Sequence, residues 1–265
     1  MADKLSKAKC FLFDLDGTVY LGDRLLPGSA EFTRYLEQVQ IPYYFLTNNS
    51  SRSRADYAFK LAGFGLPVPE DRIISSGEAT AIYLKKQRPG ARLYLVGTPS
   101  LEEEFVHFGF ELVETKPDFV VLGFDTTLTY EKIRKLCDYV REGLPFIATH
   151  PDINCPTEEG YMPDIGAILA LVRASTGREP DVIVGKPFSP IVEAVIEKTG
   201  LAAHEIVMVG DRLYTDIALG QSGLTTVLVL SGETRLEDLD GGEFQPDFIF
   251  QDMAGLFSYF MELGA

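Results

Sequence analysis

Two carboxylates, Asp14 and Asp16, stand two residues apart where the apolar run Cys10-Phe11-Leu12-Phe13 ends, and Gly17 follows to turn the chain away. Four apolar residues in a row read as a buried strand. Open α/β sheets bind their ligands outside the carboxyl ends of the strands, so these two acids fall where chemistry is expected. Held about 4 Å apart at an effective dielectric of about 20, two such charges repel by roughly 4 kcal/mol. A bound cation is the natural compensation.

Three more apolar runs end in polar groups. Tyr43-Tyr44-Phe45-Leu46 delivers Thr47-Asn48-Asn49-Ser50, and Val182-Ile183-Val184 delivers Gly185-Lys186-Pro187. Ile206-Val207-Met208-Val209 delivers Gly210-Asp211-Arg212, with Asp216 five residues beyond Asp211. Pooled, the carboxylates, the hydroxyl, the amides and the one Lys suit an oxygen-ligated hard cation beside a phosphate group.

Short apolar runs alternate with helical patterns along the chain, the signature of βαβ units and a parallel sheet. Helices are expected over 53–62, from Ser75-Ser76 to about Lys86, and over 100–108, 130–141, 165–175, 189–199 and 215–222. Strands are expected at Ile73-Ile74, 92–96, 119–122, 145–149, 226–230 and 248–250. The candidate residues fall in two blocks, before residue 50 and after residue 185, and the stretch between them has its own strand–helix alternation. The economical organisation is a split core, residues 1–78 and 182–265, with an α/β domain inserted at 79–181.

The composition is that of a globular protein: 265 residues, 46% hydrophobic and 24% charged, enough for one large core or two modest ones. With 24 basic and 39 acidic residues the net charge is −15. That argues against a nucleic-acid polymer or an anionic membrane as partner, and leaves the attraction of any anionic substrate to local cations. Cys10, Cys137 and Cys155 form no C-x-x-C and read as reduced thiols, with Cys10 a small core hydrophobe. Met1 to Lys9 is charged and lacks an apolar h-region, and no run approaches the ~18 apolar residues of a membrane span. The expected compartment is therefore the cytoplasm.

The motifs together resemble the haloacid dehalogenase-like (HAD) hydrolase superfamily. D-x-D-G-T is Asp14 to Thr18, the Thr after a hydrophobic strand is Thr47, the Lys is Lys186, and G-D-x-x-x-x-D is Gly210, Asp211 and Asp216. DLDGTVY, LTNNSSRS, GKP and GDRLYTDI are similar to the NagD or p-nitrophenylphosphatase branch, over nearly the whole chain. The resemblance implies a Rossmann-like parallel-sheet core with an inserted α/β cap of the C2 type. It implies a Mg²⁺-dependent phosphatase of small phosphomonoesters, such as sugar phosphates or nucleoside monophosphates, and it allows a homodimer.

In the terms of the family, Asp14 is the nucleophile that forms an aspartyl-phosphate. Asp16 is the acid to the leaving alkoxide and then the base for water. Thr47 and Lys186 hold phosphoryl oxygens, and Asn48 is a candidate contact to substrate or phosphate. Asp14, the main-chain carbonyl of Asp16, Asp211 and Asp216 form the metal site. Asp16 disfavours halide displacement, since haloacid dehalogenases lack a second Asp there. A phosphomutase shares both aspartates and stays open. A receiver-like phosphate-binding module uses a similar set of groups, but is about half this length and has no need of Asp16. A bare dinucleotide binder lacks support, since no G-x-G-x-x-G follows a strand. Two positions depart from the branch: His150 stands where many relatives carry Asn, and Asp164 replaces a Gly.

Overall fold

The computed structural model describes residues 2–157 and 160–264. The chain divides into two compact units. One comprises Met1–Thr47, Tyr57–Ile74 and Val195–Ala265, and the other Asn48–Asp56 and Ser75–Ala194.

The first unit is built on a six-stranded sheet. Its strands lie in the order Phe248–Phe250, Thr225–Val229, Ile206–Gly210, Cys10–Phe13, Tyr43–Thr47, Ile73–Ser75. Numbered along the chain, this is 6-5-4-1-2-3, the doubly wound order whose direction of winding reverses between strands 1 and 4. The Cys10 strand pairs in parallel with the Ile206 strand on one side and the Tyr43 strand on the other. Every residue of Cys10–Phe13 is buried, as expected of a central parallel strand covered on both faces. Period-2 alternation puts Phe11 and Phe13 on one face, where both ring edges meet Phe32 of the helix Ser29–Gln38, at centroid distances of 5.2 and 5.8 Å. Phe260, on the helix Met253–Gly264, closes on Phe11 at 5.4 Å.

The second unit carries a five-stranded sheet in the order Val182–Ile183, Phe146–Ala148, Phe119–Leu122, Arg92–Val96, Glu111–Leu112. Its core gathers Val96, Val120, Leu122 and Phe146 from the strands with Leu136 and Val172 from two helices. A separate hairpin pairs Asn154–Thr157 with Gly160–Pro163.

The α/β class and the parallel strands agree with the sequence reading, and Arg92–Val96, Phe119–Leu122, Tyr130–Arg141 and Ser189–Thr199 have the expected bounds. Three points differ. Val182–Ile183 pairs with Ile147–Ala148 of the second sheet, so it is not a strand of the core that was expected to begin at residue 182. Asn48–Asp56, expected in the core, groups with the second unit. Ser50 Oγ bonds Thr149 Oγ1, Thr98 Oγ1 donates to the Ser51 carbonyl, and Arg54 pairs with Glu78. Finally, the helix expected at 215–222 is a 3₁₀ turn over Ile217–Ser222. Gly220 and Gly223 within and after so short a segment weaken an α-helix there.

Candidate active site

The register of two strands assembles the acidic site of the first unit. Phe13 pairs with Val209, so Asp14 and Asp211 leave adjacent parallel strands within one residue of the same level. They do so at the carboxyl ends, where the order of strands reverses. Asp14 is tied to this edge by its main-chain N–H, which donates to the Val209 carbonyl at 2.9 Å. Asp216 comes back to the same place because the chain turns over 211–216, with Asp216 N–H donating to the Arg212 carbonyl at 3.1 Å. Asp14, Asp211 and Asp216 are all buried, and each offers a carboxylate oxygen within 4.8 Å of the others.

Glycine makes this convergence possible. A Cβ on Gly210 would overlap the Asp216 carboxylate, and one on Gly232 would overlap that of Asp211. The segment around Gly232 also binds Asp211 directly: the Glu233 N–H donates to Asp211 Oδ2 at 2.7 Å. Ser231 Oγ donates to the Gly17 carbonyl at 2.7 Å, fastening this segment to the turn after Asp16.

The electrostatics are those of a cation site. Burial first, and then the charges of Asp14 and Asp216, raise the Asp211 carboxyl well above the usual range. Asp211 Oδ1 is buried without a hydrogen-bond partner among the described residues. At an effective dielectric of about 20, charges about 4.8 Å apart repel by roughly 3.5 kcal/mol per pair. Three acid groups with one oxygen left open fit a hard divalent cation such as Mg²⁺, which takes oxygen ligands and few protein carboxylates. Arg212 offsets part of the charge. Burial disfavours its cation, but Asp14 and Asp211 outweigh burial and keep it charged, and Glu233 pairs with it at 3.0 Å.

The Asp16 side chain does not belong to this trio. Its Oδ2 accepts a hydrogen bond from Tyr20 Oη at 3.1 Å. The Tyr20 phenol is itself buried, and burial followed by the charge of Asp16 raises its pKa, so it remains a donor. Thr47 is the buried last residue of the strand Tyr43–Thr47, next to the Cys10 strand.

Lys186 and Asn48 come together in the second unit, both buried. Asn48 Oδ1 accepts the Lys186 N–H at 2.8 Å, while Asn48 Nδ2 donates to the Lys186 carbonyl at 3.0 Å and to Asp152 Oδ1 at 2.9 Å. The expectation of a substrate or phosphate contact from Asn48 therefore meets a carboxamide already committed to protein groups. Asn49 forms a turn, its Oδ1 accepting the Ser51 N–H at 2.9 Å. His150 is fully buried, with Nε2 3.0 Å from Asp164 Oδ1.

Tyr20, Ser231, Gly232 and Glu233 were not singled out from the sequence as site residues. Ser231-Gly232-Glu233-Thr234 lies just past the apolar strand Thr225–Val229, the same strand-then-polar pattern that marked the other motifs. Tyr20 lies four residues beyond Asp16 in DLDGTVY, and nothing in its spacing signals a role.

Comparisons with known proteins agree with this geometry. Residues 11–111 match the family described as haloacid dehalogenase-like hydrolase, and residues 183–256 match a HAD-hydrolase-like family. An acid sugar phosphatase of Staphylococcus epidermidis is 36% identical over 92% of this chain and 95% of its own length. The 5'-nucleotidase YutF of Bacillus subtilis is 38% identical, over 87% and 90%. The crystal structure of a 4-nitrophenylphosphatase from Thermotoga maritima superposes with a TM-score of 0.93 at 48% identity, covering 96% of this chain and 98% of that one. NagD from E. coli K-12 gives a TM-score of 0.87 at 36% identity, covering 93% and 97%. Two buried aspartates leaving adjacent strands at the reversal of a doubly wound sheet, and relatives that match over more than nine-tenths of both chains, place this chain in the haloacid dehalogenase-like hydrolase family, in the branch of NagD and the 4-nitrophenylphosphatases.

Proposed function

We propose that this chain is a Mg²⁺-dependent phosphatase that hydrolyses small phosphomonoesters through an aspartyl-phosphate on Asp14. The observation that carries the reading is the buried trio Asp14, Asp211 and Asp216, one of whose oxygens has no protein partner among the described residues. Relatives named acid sugar phosphatase, 5'-nucleotidase and 4-nitrophenylphosphatase support the reaction class. Sugar phosphates and nucleoside monophosphates are accordingly the substrates to try first. A small phosphorylated metabolite, rather than a nucleic-acid polymer or a membrane, suits a chain of net charge −15. None of its described helices is long and apolar enough to cross a membrane.

In this mechanism the Asp14 carboxylate attacks phosphorus and the bond to the ester oxygen breaks. Asp16, steadied by Tyr20 Oη, gives its proton to the departing alkoxide. Asp16 then takes a proton from water, which attacks the acyl phosphate, releases inorganic phosphate and restores Asp14. Thr47 and Lys186 take the phosphoryl oxygens, in keeping with the family resemblance. Asp14, Asp211, Asp216 and the Asp16 carbonyl are the groups that would hold Mg²⁺. A cation held there would offset the repulsion between an anionic nucleophile and an anionic ester. The first unit then carries the nucleophile and the acids of the metal site, and the inserted α/β segment serves as the C2 cap.

The test is phosphate release from a panel of phosphomonoesters by wild type and Asp14→Asn, each with Mg²⁺ and with EDTA. Turnover is expected from wild type with Mg²⁺ only. Equal release by Asp14→Asn, or undiminished release in EDTA, would contradict the mechanism.

A further inference from the structure

Lys186 sits just past the strand Val182–Ile183, whose main-chain bonding runs on through Val184 N–H to the Ala148 carbonyl at 3.1 Å and Gly185 N–H to the Thr149 carbonyl at 2.7 Å. At Lys186 itself a side chain takes over. The Asn48 carboxamide engages both the N–H and the C=O of Lys186, and its remaining N–H goes to Asp152. An Asn side chain has one acceptor oxygen and two donor hydrogens, and all three kinds of contact are used here.

The contact is close enough to dictate the neighbouring residue. A Cβ on Gly185 would come 2.7 Å from Asn48 Oδ1 and 2.7 Å from the Cβ of His150, so only glycine lets the carboxamide and the imidazole close on this segment.

Asn48 is in turn held from behind. Ser76 Oγ, at the start of the helix Ser76–Gln87, donates to the Asn48 carbonyl. His150 Nδ1 lies 3.3 Å from that same Ser76 oxygen and 3.1 Å from Thr149 Oγ1. The other ring nitrogen faces Asp164, which accepts the Ile165 N–H at 2.6 Å and so caps the helix Ile165–Thr176. The ring is thus fixed at both nitrogens by groups on rigid elements.

We propose that Asn48 is a positioning residue for Lys186, clamping its main chain on both polar groups, with His150 and Asp164 as the strut behind the clamp. This rests on the reading of Lys186 as the phosphate-binding cation. Removal of the clamp leaves the ammonium in place chemically but lets it wander. A misplacement of about 1 Å in a positioned group costs on the order of 10²-fold in rate.

A double-mutant cycle tests it, with kcat/KM for 4-nitrophenyl phosphate and the inhibition constant of inorganic phosphate measured for wild type, Lys186→Ala, Asn48→Ala and the pair. Asn48→Ala is expected to lower kcat/KM by on the order of 10²-fold in the wild-type background and by less than about threefold beside Lys186→Ala. A direct phosphate contact, or a general loss of structure, would instead give the same factor in both backgrounds and overturn the proposal. Thermal melts confirm that each variant is folded. If Asn48→Ala does not fold, His150→Gln replaces it in the same cycle, with the same non-additivity expected. A wild type without turnover on any ester sinks the phosphatase reading. The cycle is then read on phosphate binding by calorimetry, and a wild type that binds no phosphate overturns the clamp as well. An active wild type with additive losses overturns the clamp alone.

Discussion

The substitution Glu104→Gln probes the charge balance of the unit that carries Asn48 and Lys186. The Arg54 guanidinium lies between two buried carboxylates, 3.0 Å from Glu78 Oε1 and 3.3 Å from Glu104 Oε1. One cation cannot satisfy both. Burial, and after it the charge of Glu78, push the Glu104 carboxyl from 4.5 up to about 7. Between those values the folded chain holds a proton that the unfolded chain has released, so stability falls as pH rises through the window. At about 1.36 kcal/mol per pKa unit, the displacement from 4.5 to about 7 amounts to roughly 3 kcal/mol. The loss is absent below pH ~4.5 and complete somewhat above pH ~7. The carboxamide of the Glu104→Gln variant does not titrate. That variant should therefore match wild type at the acid end, apart from a constant offset, and gain about 3 kcal/mol on it by pH ~8. Urea unfolding of both proteins across this range gives the difference, and titrating groups remote from Glu104 cancel. A difference that stays flat with pH, or that shrinks as pH rises, would refute the reasoning.

Four other outcomes follow from the site. Tyr20→Phe removes the hydroxyl that holds Asp16, and should lower kcat more than it changes KM, with a stability loss of about 1 kcal/mol in thermal melts; an unchanged kcat would remove Tyr20 from the mechanism. Mg²⁺ should raise the melting temperature, since a ligand at about 100 times its Kd stabilises by about 2.7 kcal/mol, and Asp211→Asn should abolish most of that rise. Gly232→Ala drives a methyl into the Asp211 carboxylate, so it should cost about 1–3 kcal/mol of stability and weaken the Mg²⁺ response. Asp164→Ala takes away a helix cap and the partner of His150, and should destabilise by about 1–2 kcal/mol, measured by urea unfolding.

The acidic site was legible before the fold because its motifs are local. A buried strand, a turn and a carboxylate need only a few consecutive residues, so Asp14 and Asp211 could be placed at strand ends from their neighbours alone. The order of the sheet follows from the same periodicity only as a class. The commitments of individual side chains were harder to read. Asn48 is as apt for a ligand as for a clamp by residue type, and the choice rests on Lys186, 138 residues away in sequence. Val182–Ile183 shows the same limit. An apolar run reads as a strand, but which sheet receives it depends on the free edge that Phe146–Ala148 offers.

The sequence by itself therefore determined the α/β class, the acids that meet and the family to which they belong, because strand periodicity, turn chemistry and charge act over short spans of chain. Only the tertiary structure decided which oxygen of Asp211 stays open, that Tyr20 steadies Asp16, and that the segment after Thr47 groups with the inserted unit. Those are contacts between distant segments. They are selected by packing and hydrogen-bond geometry, which no stretch of sequence specifies alone.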